Sequence, residues 1–138
     1  MRMGGLEGAA LGVKLKHIDD WNKRRQDIAG KYYSEFDNAL ISLQHIPDYV
    51  EPVHHLFVVT VEDRVGFMEY LNQNNINPAL HYPVPCHLQK AYSSLGYKKG
   101  DMPHTEYLSD HCVSLPMFAE MTDEEVSHVI SVVNDYKA

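Results

Sequence analysis

The chain has 138 residues, 44% of them hydrophobic and 22% charged, the proportions of an ordinary globular protein with enough chain for a core without disulfide or metal staples. Its net charge of −7 argues against a partner held mainly by phosphate contacts, because such binding needs clustered cations; nucleic acid is set aside. The longest apolar runs, such as Leu56 to Val61, fall far short of the roughly 18 to 20 residues of a membrane span, and the N-terminus lacks a signal-peptide pattern. The expectation is a cytoplasmic protein whose two cysteines, Cys86 and Cys112, are buried thiols rather than a disulfide framework.

From Leu6 to about Tyr33 the residues Leu6, Ala10, Val13, His17, Trp21, Arg24, Ile28 and Tyr32 recur at spacings of three and four, which predicts one long helix with a packed face. Gly4, Gly5, Gly8 and Gly12 crowd its start, although each glycine inside a helix costs about 1 kcal/mol relative to alanine. Their clustering predicts another backbone lying against the helix, from a dimer mate or a missing domain. After Pro47 and Pro52, "HLFVVTV" (55–61) predicts a short buried strand. "EDRVGFMEYLNQNN" (62–75) carries Val65, Met68 and Leu71 at helical spacing and ends in an Asn pair suited to a C-terminal cap.

"INPALHY" (76–82) is a second strand candidate running into Pro83 and Pro85, which cannot donate to a ladder, so the chain must leave the sheet or follow its edge. An exposed turn "GYKKGDMP", a short helix from about His104 to His111 and a third strand around "CVSLPM" follow. In the last segment Thr122 and Glu125 form a capping box, and Val126, Val129, Ile130 and Val133 make one apolar stripe. The order describes one α/β (α+β) domain over 1–138, with a long helix over 1–33 and a small α/β unit over 34–138. Strand directions cannot be read from this pattern.

The chemistry offered by the side chains is thin. His54, His55, His81, Cys86, His87, His104, His111 and Cys112 are scattered over different elements without the paired spacing that zinc uses, so no metal site is expected. Cys86 precedes His87 and His111 precedes Cys112. Sequence neighbours on an extended segment point to opposite sides, so neither histidine serves as base for its cysteine. No glycine-rich loop links a strand to a helix, so a phosphate cradle is absent. "HYPVPCH" (81–87) remains. Pro83 and Pro85 restrict Tyr82 and Val84 to extended geometry, which would hold His81 and Tyr82 in defined directions. The segment reads equally as a pocket rim and as an edge strand with its rings on the core.

"RMGGLEGAALGVKLKHIDDWNKRR", "HLFVV", "LHYPVPCHLQKAYSSLGYKKGDMP" and "SLPMFAEMTDEEV" together resemble, in residues, order and intervals, the C-terminal part of the DegT/DnrJ/EryC1/StrS sugar aminotransferases. These are pyridoxal-phosphate enzymes that aminate keto-sugars attached to nucleotides. The resemblance covers nearly the whole chain and implies the small domain of a fold-type-I aminotransferase, with a mostly antiparallel sheet and helices on one face. It implies that His81 and Tyr82 contact the nucleotide-sugar and that Arg2, in the family's "N-x-R-M" stretch, comes close to the neighbouring subunit's active site. Gly4 and Glu7 depart from the family pattern, which has an acidic residue and often Gln there.

The family's Schiff-base lysine and pyridine-pairing aspartate belong to a large domain with no counterpart in these residues, and no lysine here matches the catalytic one. The resemblance therefore implies a C-terminal fragment of an enzyme of polysaccharide, lipopolysaccharide or deoxyamino-sugar biosynthesis, without catalysis or pyridoxal phosphate binding of its own, completed by a homodimer mate or a large domain. The alternative is a free-standing, non-catalytic module for nucleotide-sugar binding or self-association.

Overall fold

The computed structural model describes residues 3–137; Arg2 lies outside them. Helix α1 (Gly5–Lys14) passes through a 3-10 turn (Leu15–His17) into α2 (Ile18–Glu35), and then come β1 (Ser42–Leu43), β2 (Phe57–Thr60) and α3 (Arg64–Gln73). Two further 3-10 turns (Cys86–Leu88, Lys90–Leu95) lead to α4 (Pro103–His111), β3 (Cys112–Leu115) and α5 (Asp123–Asp135). The expected single helix is thus divided by a tighter turn. Only its second half packs, through Ile28, Ala29 and Tyr32, whereas α1 buries no residue. A Cβ added at Gly5 or Gly12 would meet nothing within 4 Å, so no backbone of the described chain lies against the glycines.

The sheet is antiparallel in the order β1-β2-β3. Pairing of Leu43 with Val59, Phe57 with Leu115 and Val59 with Val113 puts these side chains on one face, because paired residues share a side and alternate ones oppose. That face meets α2, α3 and α5 in one cluster that includes Tyr32, Phe67, Leu71, Val126 and Val133. Tyr32 is fully buried, donates its hydroxyl to the Pro116 carbonyl at 3.1 Å, and has its phenol pushed up by burial. The opposite face, carrying Ser42, Val58, Thr60 and Cys112, borders an open groove of about 390 Å³ with Leu108 of α4 at its side.

Local chemistry explains most boundaries. In α5, Thr122 Oγ1 accepts from the Glu125 N–H at 3.2 Å while Glu125 Oε2 accepts from the Thr122 N–H at 2.8 Å, the reciprocal box the sequence predicts. Its apolar stripe is buried as expected, with Val132 added. In α3, Asp63 Oδ1 accepts from the Gly66 N–H at 2.9 Å. The Asn pair closes the other end: Asn75 takes φ +60°, and the N–H groups of Asn75 and Ile76 return to the Asn72 and Leu71 carbonyls at 3.1 and 2.9 Å, a left-handed cap of the Schellman kind. The buried pair on α3 is Phe67 and Leu71, while the expected Val65 is 65% exposed.

The second strand candidate does not form a strand. Residues 76–82 make one bridge, Ala79 to Ser114, with N–H to carbonyl bonds of 3.0 and 2.9 Å. Pro78 beside it has no N–H, and Pro116 would stand opposite Asn77, so pairing cannot extend in that direction.

Candidate functional site

The Ala79–Ser114 bridge fixes the start of the candidate rim. His81 lies two residues on, and its Nδ1 is 2.8 Å from Ser114 Oγ. With Nδ1 so engaged, Nε2 is the ring nitrogen left for a ligand. Tyr82 overturns the expected extended geometry, because its φ is +54°, a left-handed conformation uncommon for a bulky residue. Its side chain is nonetheless 83% exposed. The reading of the segment as an edge strand with rings on the core is excluded for Tyr82. Backbone strain of this kind concentrates at functional sites.

Beyond Tyr82 the chain turns His87 inward. Its ring is buried, with Nε2 3.0 Å from Glu106 Oε1 and Nδ1 without a hydrogen-bond partner among the described residues. Glu106 sits in the first turn of α4, which opens with Pro103, where the helix dipole favours negative charge. Its two oxygens also accept from the Gly100 N–H at 2.8 and 2.9 Å and from the Met102 N–H at 3.3 Å. Burial by itself would raise this carboxyl, but the Gly100 amide, the His87 ring and the Met102 amide together hold it below the usual carboxylate range. An apolar cavity of about 260 Å³, lined by Cys86, His87, Tyr92, Leu95, Tyr97 and Met102, opens beside this cluster.

The sequence singles out His81 and Tyr82 as candidates but gives no hint of Ser114 as the partner of His81 or of the inward turn of His87 toward Glu106. The signal for Glu106 was present: a glutamate just after a proline-opened helix start is placed to receive nearby N–H groups. Both thiols are free, yet Cys86 is exposed and Cys112 only half-buried, against the expectation of burial. Cys86 stands exposed at the head of the 3-10 turn that carries His87 inward, and Cys112 on the open sheet face. Burial pushes the Cys112 thiol up, which disfavours a thiolate nucleophile. Among the described residues no three His, Cys, Asp or Glu side chains are grouped to hold a metal ion. None of the helices there is long and apolar enough to cross a membrane.

The lysines do not fit pyridoxal phosphate. Seven of them are exposed and Lys31, half-buried, is held 3.0 Å from Asp123. An imine-forming lysine needs a sheltered position next to the cofactor.

A helix leading into a three-stranded antiparallel sheet backed by α2, α3 and α5, with a proline-stiffened rim beside it, is the small-domain architecture of the fold-type-I aminotransferases. A crystal structure of DesV from Streptomyces venezuelae in complex with a ketimine intermediate superimposes with a TM-score of 0.91 at 32% identity, covering 97% of this chain and 36% of that one. An aminotransferase of Brucella abortus superimposes with a TM-score of 0.85 at 25% identity, over 96% of this chain and 35% of that one. In sequence, the dTDP-3-amino-3,6-dideoxy-alpha-D-galactopyranose transaminase of Aneurinibacillus thermoaerophilus is 41% identical over 135 residues, 98% of this chain and 37% of the relative. The family model for the DegT/DnrJ/EryC1/StrS aminotransferases matches residues 1–134, and the chain belongs to that family. It spans little more than a third of the relatives it matches.

Proposed function

We propose that this chain forms the small-domain side of a cytoplasmic nucleotide-sugar aminotransferase, in which His81 and Tyr82 contact the sugar nucleotide and Arg2 reaches a neighbouring subunit's site. The observation that carries the reading is the conformation of Tyr82: an aromatic ring in a left-handed backbone setting, turned to solvent. A sugar nucleotide, the substrate of the family's aminotransferases, is the ligand proposed to cover it. His81 is prepared for the same role, since the Ser114 hydroxyl fixes its ring. Residues 1–138 act as one domain that binds and orients. The amine chemistry belongs to residues beyond them, because no lysine here has the sheltered setting it requires.

Two measurements test this. With pyridoxal phosphate and borohydride, the chain is expected to fix no pyridoxyl group at one-to-one stoichiometry, and a single lysine labelled to completion would overturn the division of labour. In NMR titrations with a dTDP-sugar, the resonances of His81 and Tyr82 are expected to shift, whereas shifts confined to other regions would remove these two residues from the binding role. The exposed apolar residues of α1, among them Leu6, Leu11 and Val13, favour a unit that works against further polypeptide, either a large domain or a homodimer mate.

A further inference from the structure

The rim segment has a simple mechanical layout. Residues 83–101 contain only two short 3-10 turns, and nearly all of their side chains are exposed, His87 being the buried exception. Their hydrogen bonds to one another are local: Leu88 to Pro85, Tyr92 to Gln89, Gln89 to Val84 and Lys98 to Asp101. Every hydrogen bond that ties this segment to the rest of the described chain ends on one side chain. His87 Nε2 and the Gly100 N–H both meet the Glu106 carboxylate, and the Met102 N–H just beyond joins them. On its other flank the rim is pinned by His81 to Ser114.

A carboxylate suits this position because all of its neighbours are donors. Its two oxygens receive one N–H from each end of the segment, so one group sets the distance between the turn at Cys86 and the turn at Gly100. Charge-assisted bonds of this sort are roughly twice as strong as neutral ones. Gly100, at φ +98°, is in a conformation that a residue with a Cβ rarely adopts, and the amide it presents reaches both oxygens. Between the two turns lie Tyr92, Leu95 and Tyr97, whose rings and side chains line the apolar cavity beside His87.

We propose that Glu106 is the positioning residue of the substrate rim, acting through His87 and the Gly100 amide to hold residues 83–101 in the shape that receives a nucleotide-sugar. The inference deepens the proposed function and rests on it for the identity of the ligand, while the clamp itself can be tested without any ligand.

Amide hydrogen exchange on the chain as it stands gives the first readout. The Gly100 amide is expected to exchange at least about ten-fold more slowly than that of Lys99 next to it, which has no hydrogen-bond partner among the described residues. Equal rates would overturn the clamp. In Glu106→Gln, one oxygen becomes an amide NH2, which faces the Gly100 N–H in place of Oε2 or the His87, Gly100 and Met102 N–H groups in place of Oε1. Protection at Gly100 should fall about ten-fold or more and residues 83–101 should become mobile on the nanosecond scale, while the α5 amides from Val126 to Val133 keep their protection. Loss of α5 protection in step with Gly100 would make Glu106 a general fold stabiliser and overturn the positioning role. If Glu106→Gln does not fold, His87→Phe removes one arm of the clamp with little change of volume, and the same two patterns decide. In dTDP-sugar titrations the Glu106→Gln dissociation constant should rise at least about ten-fold. A wild-type chain that binds no dTDP-sugar but shows the protected Gly100 amide would refute the ligand reading and leave the clamp standing.

Discussion

Helices α1 and α5 both carry apolar residues at helical spacing, yet α5 buries five of them and α1 buries none. Leu6 on α1 is 87% exposed, whereas Val126 and Val133 on α5 are inaccessible. The ends differ as well. Thr122 gives α5 both halves of a reciprocal cap, while α1 has only the bond from the Gly4 N–H to Glu7 Oε2 at 2.9 Å, since Gly4 has no side chain to return it. An apolar stripe thus states that a surface is to be covered, and says nothing of whether the cover is in the same chain.

The sharpest way to break this contrast is truncation on each side of it. Phe67→Ala, in the core that α5 closes, should cost about 3–5 kcal/mol in chemical denaturation. Leu6→Ala on α1 should stay within about 0.5 kcal/mol in the same chain, and a cost near that of Phe67→Ala would show that α1 is already packed. The caps come next. Thr122→Ala should remove about 1 kcal/mol, whereas Gly4→Asp, which supplies the missing half of the box on α1, should gain only a few tenths and show chiefly as added helicity by circular dichroism.

The smallest effect belongs to Asp123, which accepts from Lys31 and Arg24 at 3.0 Å each and so ties α2 to the start of α5. The hydrogen bonds from Lys31 and Arg24 hold its carboxyl below the ordinary range. A depressed folded value means that this contribution is fully present above the unfolded carboxyl value, about 3.9 for aspartate, and is lost as pH falls through the folded one. Acid melts of wild type and Asp123→Asn should therefore converge below that window and differ slightly above it. The difference should shrink in high salt, because the carboxylate is largely exposed. No convergence at low pH would show that Asp123 acts through something other than its charge.

The fold was legible where chemistry is local. The Thr122–Glu125 box, the Asn75 cap, the strand Cys112–Leu115 and the helix from Pro103 each follow from a few adjacent residues. The sequence reading failed where a distant group decides. Residues 76–82 have the composition of a strand, but the prolines reduce it to the single Ala79–Ser114 bridge. β1 has two residues, too few to leave a period. On α3, Phe67 rather than Val65 is buried because the face turned to the core is set by distant residues, among them Tyr136, whose ring meets Phe67 edge-on. At the candidate site, the proline frame draws notice to His81 and Tyr82 but gives Tyr82 the wrong backbone geometry, since its φ is +54°. The pairing of His87 with Glu106 spans 19 residues and is produced by the fold of the intervening loop, which no spacing rule anticipates.

One detail of the sheet bears on how molecules of this protein meet one another. An uncovered strand flank, with its row of unsatisfied amides and carbonyls, is a template on which foreign chains stack into fibrils. Here the flank of β3 is engaged by one residue, Ala79, with Pro78 beside it and Pro116 just after β3, neither of which can donate to an incoming ladder. An incoming strand therefore finds few donors on this flank, and replacing Pro78 and Pro116 would lengthen the template it offers.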